Sequence, residues 1–150
     1  MISNFLKRLA AANDEALTDE DARVALASLL VRVARSNWDY ADEEVTRIDL
    51  ILSRRYGLTP EQAEDLRTEA EAVEAEANDT VQFTRAIKDA VEYEDRDKVI
   101  EALWELVLAD GVRDAEEEGI LRLVAPLLGV NDRDSALARQ RVQARMAAEG

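Results

Sequence analysis

The residues best suited to chemistry lie in two short acidic stretches. One is Asp110-Gly111-Val112-Arg113-Asp114-Ala115-Glu116-Glu117-Glu118, and the other is Asn37-Trp38-Asp39-Tyr40-Ala41-Asp42-Glu43-Glu44. The chain has no Cys and no His, which excludes thiol nucleophiles, disulfides, Cys/His zinc sites and imidazole acid–base catalysis. Oxygen ligands remain. Hard cations take several oxygens from carboxylates, backbone carbonyls and water. A Ca2+ or Mg2+ site in the later stretch would draw on the spacing Asp110-x-x-x-Asp114-x-Glu116, with a helix C-terminus beside it to add carbonyl oxygens. That spacing is not that of an EF-hand loop. The competing reading is structural: Glu116 to Glu118 begin a helix, whose dipole favours carboxylates there, and Asp114 with Glu117 forms an Asp/Glu version of a capping box. Asp110 is different. It lies near the carbonyl end of the preceding helix, where a carboxylate adds unfavourable charge unless an N–H, an Arg or a cation offsets it.

The earlier stretch is a blurred copy. Asn37 replaces the Asp and Trp38 the Gly, so a left-handed residue is less comfortable there and the loop should differ in shape. Trp38 and Tyr40 instead place two aromatics beside acids and are the candidate partner-binding residues. The alternative is packing, with Ala41 as N-cap and Tyr40 stapled onto Val45.

The whole chain carries 19 basic and 33 acidic residues in 150, a formal charge of −14. That field repels phosphate backbones and anionic headgroups. No nucleic acid is expected as a partner; a basic protein surface, or a membrane-protein complex that offers one, is. The N-terminal Met1-Ile2-Ser3-Asn4-Phe5-Leu6-Lys7-Arg8-Leu9 does not read as a signal peptide, and no long apolar run follows. A soluble, cytoplasmic protein without membrane insertion is expected. Its length suits a single domain, burying roughly 70% of the unfolded surface without a metal or disulfide staple.

The elements that position the acidic stretches are all helices, about eight of them. Abundant Ala, Leu, Glu and Arg favour helix, and no segment shows sustained period-two alternation. Ile2, Phe5, Leu6 and Leu9 mark a short first helix that packs on the core. Thr18 caps a second, with a stripe of Leu26, Leu29, Leu30 and Val33. Val45, Ile48, Leu52 and Tyr56 mark a third that stops at Gly57. Thr59-Pro60-Glu61-Gln62 is a capping box with Pro at the first helical position, opening a fourth helix to about Ala77. Its Glu64, Glu69, Glu71, Glu74 and Glu76 read as a solvated face, with a basic-partner site as the alternative. Thr80 begins a fifth helix with Phe83, Ile87 and Val91. The sixth starts near Glu94 and carries Val99, Ile100, Leu103, Leu106 and Val107 around enough of its circumference to be the most buried, alongside its partner in the first half, with Trp104 in or beside the core. The seventh buries Ile120, Leu121, Val124, Leu127 and Leu128, is kinked or tightened by Pro126, and stops at Gly129. Asn131-Asp132 caps the last, whose apolar residues are Leu137, Val142 and Met146. Its Arg133, Arg139, Arg141 and Arg145 suit the dipole of the C-terminal half.

An internal duplication links these helices. Leu26-Ala27 falls on Val99-Ile100, Leu30 on Leu103, Asn37 on Asp110 and Glu44 on Glu117, and with small offsets Gly57 falls on Gly129 and Phe5 on Phe83. Two four-helix repeats, about 1–77 and 78–150, should pack as a pseudo-two-fold pair around the second and sixth helices.

On the residues Ala102-Leu103-Trp104-Glu105-Leu106-Val107-Leu108-Ala109-Asp110-Gly111, the Glu116-Glu117-Glu118 helix start, the counterpart from Leu29 to Ala34 with Asp42-Glu43-Glu44 and Ile48, and the Tyr56-Gly57-Leu58 stop, the chain resembles the tellurite-resistance protein B-like (TerB-like) family of bacterial helical domains. The resemblance spans about residues 20–135. It implies an all-helical duplicated fold, a link to tellurite or general stress responses, and a divalent-metal role for Asp110 and Glu117, with Asp39 and Glu44 as the first-half counterparts. Its members are seldom enzymes. The resulting expectation is a non-catalytic acidic interaction module that requires no cofactor but is open to Ca2+ or Mg2+. The alternatives are a carboxylate-only metal-dependent hydrolase, which two-metal chemistry allows without His, and a helical homodimerisation module.

Overall fold

The computed structural model describes residues 19–36, 40–77, 80–109 and 115–149, for 115–118 the backbone alone. The expected N-terminal helix and the Thr18 cap lie outside the described residues. Among those described there are seven α-helices and no strand: α1 Asp19–Arg35, α2 Asp42–Tyr56, α3 Pro60–Glu76, α4 Val81–Ala90, α5 Tyr93–Leu108, α6 Ala115–Leu127 and α7 Asp132–Glu149. No helix among them is long and apolar enough to cross a membrane.

α1 is the axis of the molecule. It packs against α2, α3, α4, α5 and α6, most extensively against α3 and α4. Its buried set is wider than the expected stripe, running almost without a break from Val24 to Ala34 apart from Arg32. Apolar residues around the whole circumference allow a helix to be covered on every side. Ala25, Ala27 and Ala34, all fully buried, let neighbours approach closely. Buried Ser28 satisfies its hydroxyl by donating to Val24 O at 2.7 Å, the local back-bond open to Ser within a helix. Helix α5, expected to be the most buried, leaves more of its surface open: Tyr93, Glu94 and Asp95 of its first turn are outside the core. It packs most extensively on α7, as α1 does on α3.

Local punctuation sets the helix ends. Thr59 Oγ1 accepts from Gln62 N at 3.2 Å while Gln62 Oε1 accepts from Thr59 N at 3.0 Å, the reciprocal box that starts α3. Asn131 Oδ1 accepts from Asp134 N at 2.8 Å and starts α7. Thr80 differs: its backbone is already helical and its side chain makes no cap bond. Gly57 and Gly129 both take a left-handed conformation, with φ of 65° and 77°, where a Cβ costs roughly 1–2 kcal/mol. After each, the next N–H reaches back five residues, Leu58 N to Ser53 O at 3.0 Å and Val130 N to Ala125 O at 2.9 Å. This is the 6→1 bond that satisfies the terminal carbonyls. Pro126 sits inside that last turn, which tightens: Leu128 N is shared between Val124 O and Ala125 O.

An arginine stands against each glycine stop. Arg23 lies over the Tyr56 ring at 4.7 Å. Arg96 donates to Leu128 O at 3.4 Å, and to Val91 O and Lys88 O at 3.2 and 3.1 Å. In α7 the buried face is Ser135, Ala138 and Val142. Leu137, expected among its apolar contacts, is 39% exposed, because it lies off the i, i+3, i+4 row those three residues define.

Candidate functional site

Asp39, Trp38, Asp110 and Asp114 lie outside the described residues, and Glu117 is described by its backbone alone, in the first turn of α6. Glu44 is half-buried in the first turn of α2, beside Asp42 and Glu43. Among the described residues no three carboxylates are grouped so as to hold a metal ion.

Tyr40 is tied into the chain just ahead of α2. Ala41 is the N-cap, with extended backbone, while the Tyr40 ring packs against the core and its hydroxyl donates to Glu71 Oε2 at 2.8 Å. The Arg35 guanidinium lies over the ring at 5.0 Å. Burial pushes the phenol well above its ordinary value of 10.0, and the bond to Glu71 and that carboxylate's charge push it further, against the pull of Arg67 and Arg35. A raised folded-state value means that the contribution of neutral Tyr40 is complete below about pH 10. It is lost as pH rises through the folded value. The stability advantage of the wild type over Tyr40→Phe should thus be constant through neutral pH and shrink above pH 10. Denaturant midpoints measured across that range test this, and a constant difference to high pH contradicts it.

Tyr40 opens a chain of polar contacts onto α3. Arg67 donates to Glu71 Oε2 at 3.1 Å and to Asp49 Oδ1 at 2.6 Å. Burial lowers the Arg67 pKa, but the bond and charge of Asp49, with those of Glu71, outweigh it and leave the guanidinium above its ordinary value. One turn further on, Glu74 accepts from Arg32 at 3.1 and 3.2 Å and from Arg35 at 2.6 Å. Arg32 also donates to Glu74 O at 3.2 Å and Ala77 O at 2.9 Å. It thereby caps the carbonyl end of α3, a helix with no basic residue in its last turn.

These contacts correct the expectation that the α3 glutamates form one solvated face. Glu71 and Glu74 are inward and neutralised by Arg67, Arg32 and Arg35. Glu61, Glu64, Asp65 and Glu69 are exposed, and no cation among the described residues pairs with them. Removing two neutralised acids sharpens the rest into a negative face on the first half of α3; Asp42 and Glu43 at the start of α2 are exposed as well. The only basic residue within α3 is Arg67, and it is engaged by Asp49 and Glu71.

The arginines of α7 have partners across the helix pair, and the last turn of α7 holds no basic residue, so the dipole is not their role. Arg145 pairs with Glu101 at 3.2 Å and Glu105 at 3.8 Å, Arg141 with Glu101 at 3.5 Å. Arg139 lies 5.2 Å over the Trp104 ring.

A family model described as tellurite resistance protein TerB matches residues 23–140. Neither a curated protein nor a solved structure matches the chain.

Proposed function

The chain belongs to the tellurite resistance protein TerB family, and from that premise we propose that it is a non-catalytic interaction module of the stress-response type, presenting the outer face of α3 to a basic protein surface. The observation that carries this reading is the sorting of the α3 carboxylates. A carboxylate with a partner in its own chain contributes little field, whereas Glu61, Glu64, Asp65 and Glu69 keep their charge free on a chain of −14. Such a face steers a cationic partner and speeds association at low ionic strength. The partner is a basic protein or the basic part of a membrane-protein complex.

In this reading Ca2+ or Mg2+ tunes the module at the acidic turns. Asp110, Asp114 and Glu117 would supply oxygens from one turn, Asp39 and Glu44 from the other. The duplication belongs to the same proposal. It is supported by the matched glycine stops, by the pairing of α1 with α3 and α5 with α7, and by Arg23 and Arg96, which stand at the same offset and each meet the residue before a glycine stop.

One experiment tests the reading: capture of partners from the native host with the wild type and with a variant carrying Glu61→Gln, Glu64→Gln, Asp65→Asn and Glu69→Gln. It is run with Ca2+, with Mg2+ and with a chelator, and repeated for Asp110→Ala. A basic partner lost in the four-site variant is the expected result. Equal capture by both proteins removes the α3 face, and capture indifferent to ions and to Asp110→Ala removes the metal.

A further inference from the structure

We propose that the cleft between α2, α5 and α7 binds a carboxylate carried on an apolar chain. This goes beyond the acidic-face reading and concerns a different surface. The cleft has a volume of about 460 Å³, within the range of small-molecule sites. Ile51 and Ala102, 2% and 6% exposed, give it an apolar base. Its walls hold Arg54, Arg55, Lys98 and Arg145 against three carboxylates, a local excess of cations on a strongly acidic chain.

The pairing inside the cleft leaves two of those cations underused. Glu105 accepts from Arg54 at 3.4 Å and lies 3.8 Å from Arg145, which also reaches Glu101 at 3.2 Å. Each glutamate is thus shared between arginines. Lys98 has a 68% exposed side chain and, among the described residues, pairs with Asp95 alone, at 3.8 Å. Arg55 makes no ion pair among the described residues, and its Nε is shielded from solvent without an acceptor. Shielded donors of that kind are rare in folded proteins and unfavourable. The shielded Nε is out of a ligand's reach, so an entering carboxylate would pair with the terminal nitrogens of Arg55, which no carboxylate among the described residues engages and which present a planar fork to its two oxygens.

The same walls select the charge of the ligand. Glu101, Glu105 and Glu149 repel a multiply charged phosphate, whereas a single negative charge matches the single-cation excess. The remote acids matter less, since screening at physiological salt acts over roughly 8 Å. An apolar chain behind the carboxylate would lie on Ile51 and Ala102. A free alkanoic acid and the C-terminus of a peptide share this chemistry.

Titration of the 15N-labelled protein, followed by NMR, tests the proposal with octanoate, with an apolar tetrapeptide bearing a free C-terminus, and with the same peptide amidated. The expected result is saturable shifts confined to the amides around 51–55, 98–105 and 145–149 with at least one free acid. Which acid produces them identifies the source. Amidation should abolish the peptide's effect, and Arg55→Gln and Lys98→Gln should each weaken binding, the former about tenfold. The exposed Lys98 keeps the test valid if Arg55→Gln disturbs folding. No saturable shift with either acid, equal shifts with the amide, or wild-type affinity in the variants overturns the site.

Discussion

Replacing Arg32 with Ala is expected to lower stability by about 3 kcal/mol, the low end for breaking a largely buried ion pair. The guanidinium, 16% exposed, meets three parts of the fold at once. It holds the Glu74 carboxylate, bonds the Glu74 and Ala77 carbonyls at the end of α3, and lies 5.3 Å over the Phe83 ring in α4. Removing it leaves two terminal carbonyls without this donor at the negative end of a helix dipole. Glu74 keeps Arg35, which is why the expected loss stays at the low end. Arg32→Lys should recover only part of the loss, because one ammonium cannot reproduce a planar fork bonded to a carboxylate and two carbonyls. Arg35→Ala should cost less than about 1 kcal/mol, since its side chain is 36% exposed and screened. Urea unfolding of these variants tests the ranking. A double-mutant cycle with Glu74→Gln separates the ion pair from the carbonyl bonds: coupling near zero would assign the effect to the carbonyls and to Phe83.

This junction also shows how far the sequence could be read. Thr59, Gln62, Gly57, Gly129 and Asn131 announce the helix ends because each acts on backbone within a few residues, and each does so in the fold. The family match over 23–140 agrees with the residues from Leu29 to Glu118 that carry the resemblance. The Arg32–Glu74 pair lies 42 residues apart, and charge spacing along one helix says nothing about a partner on another. A weaker signal was present: Glu71 and Glu74 directly follow Ala70 and Val73 in the buried row of α3. It does not decide the matter, because Glu64 follows buried Ala63 in the same way and is exposed. What separates them is a neighbour: the arginines of α1 stand against the last turns of α3, where Glu74 lies. The same limit applied to α7, where Arg141 and Arg145 find Glu101 and Glu105 across a helix pair. The metal candidates are another matter. Asp39, Asp110 and Asp114 lie outside the described residues, so the fold speaks neither for nor against a cation among them.

The second large effect is expected at Trp104, where Trp104→Ala should cost about 4 kcal/mol, as truncating a buried aromatic does. The side chain is 5% exposed between α5 and α7. Its Nε1–H donates to Ser135 Oγ at 3.2 Å, and the Arg139 guanidinium covers the ring. A large apolar body with a satisfied polar tip describes a core residue, not a platform waiting for a ligand. Trp104→Phe separates these contributions. It keeps most of the packing and loses the indole donor, so a cost of about 1–2 kcal/mol is expected, close to that of Ser135→Ala plus the smaller ring. Thermal and urea unfolding measure both variants, and a Trp104→Ala protein as stable as the wild type would refute the core assignment. The consequence extends to the cleft on the neighbouring face of the same helix pair. Arg145 and Glu101 are held in register by the α5–α7 contact that Trp104 fills. Trp104→Phe, which preserves that contact, should therefore leave carboxylate binding unchanged while lowering stability, a separation that a shared ligand-binding role for Trp104 would not produce.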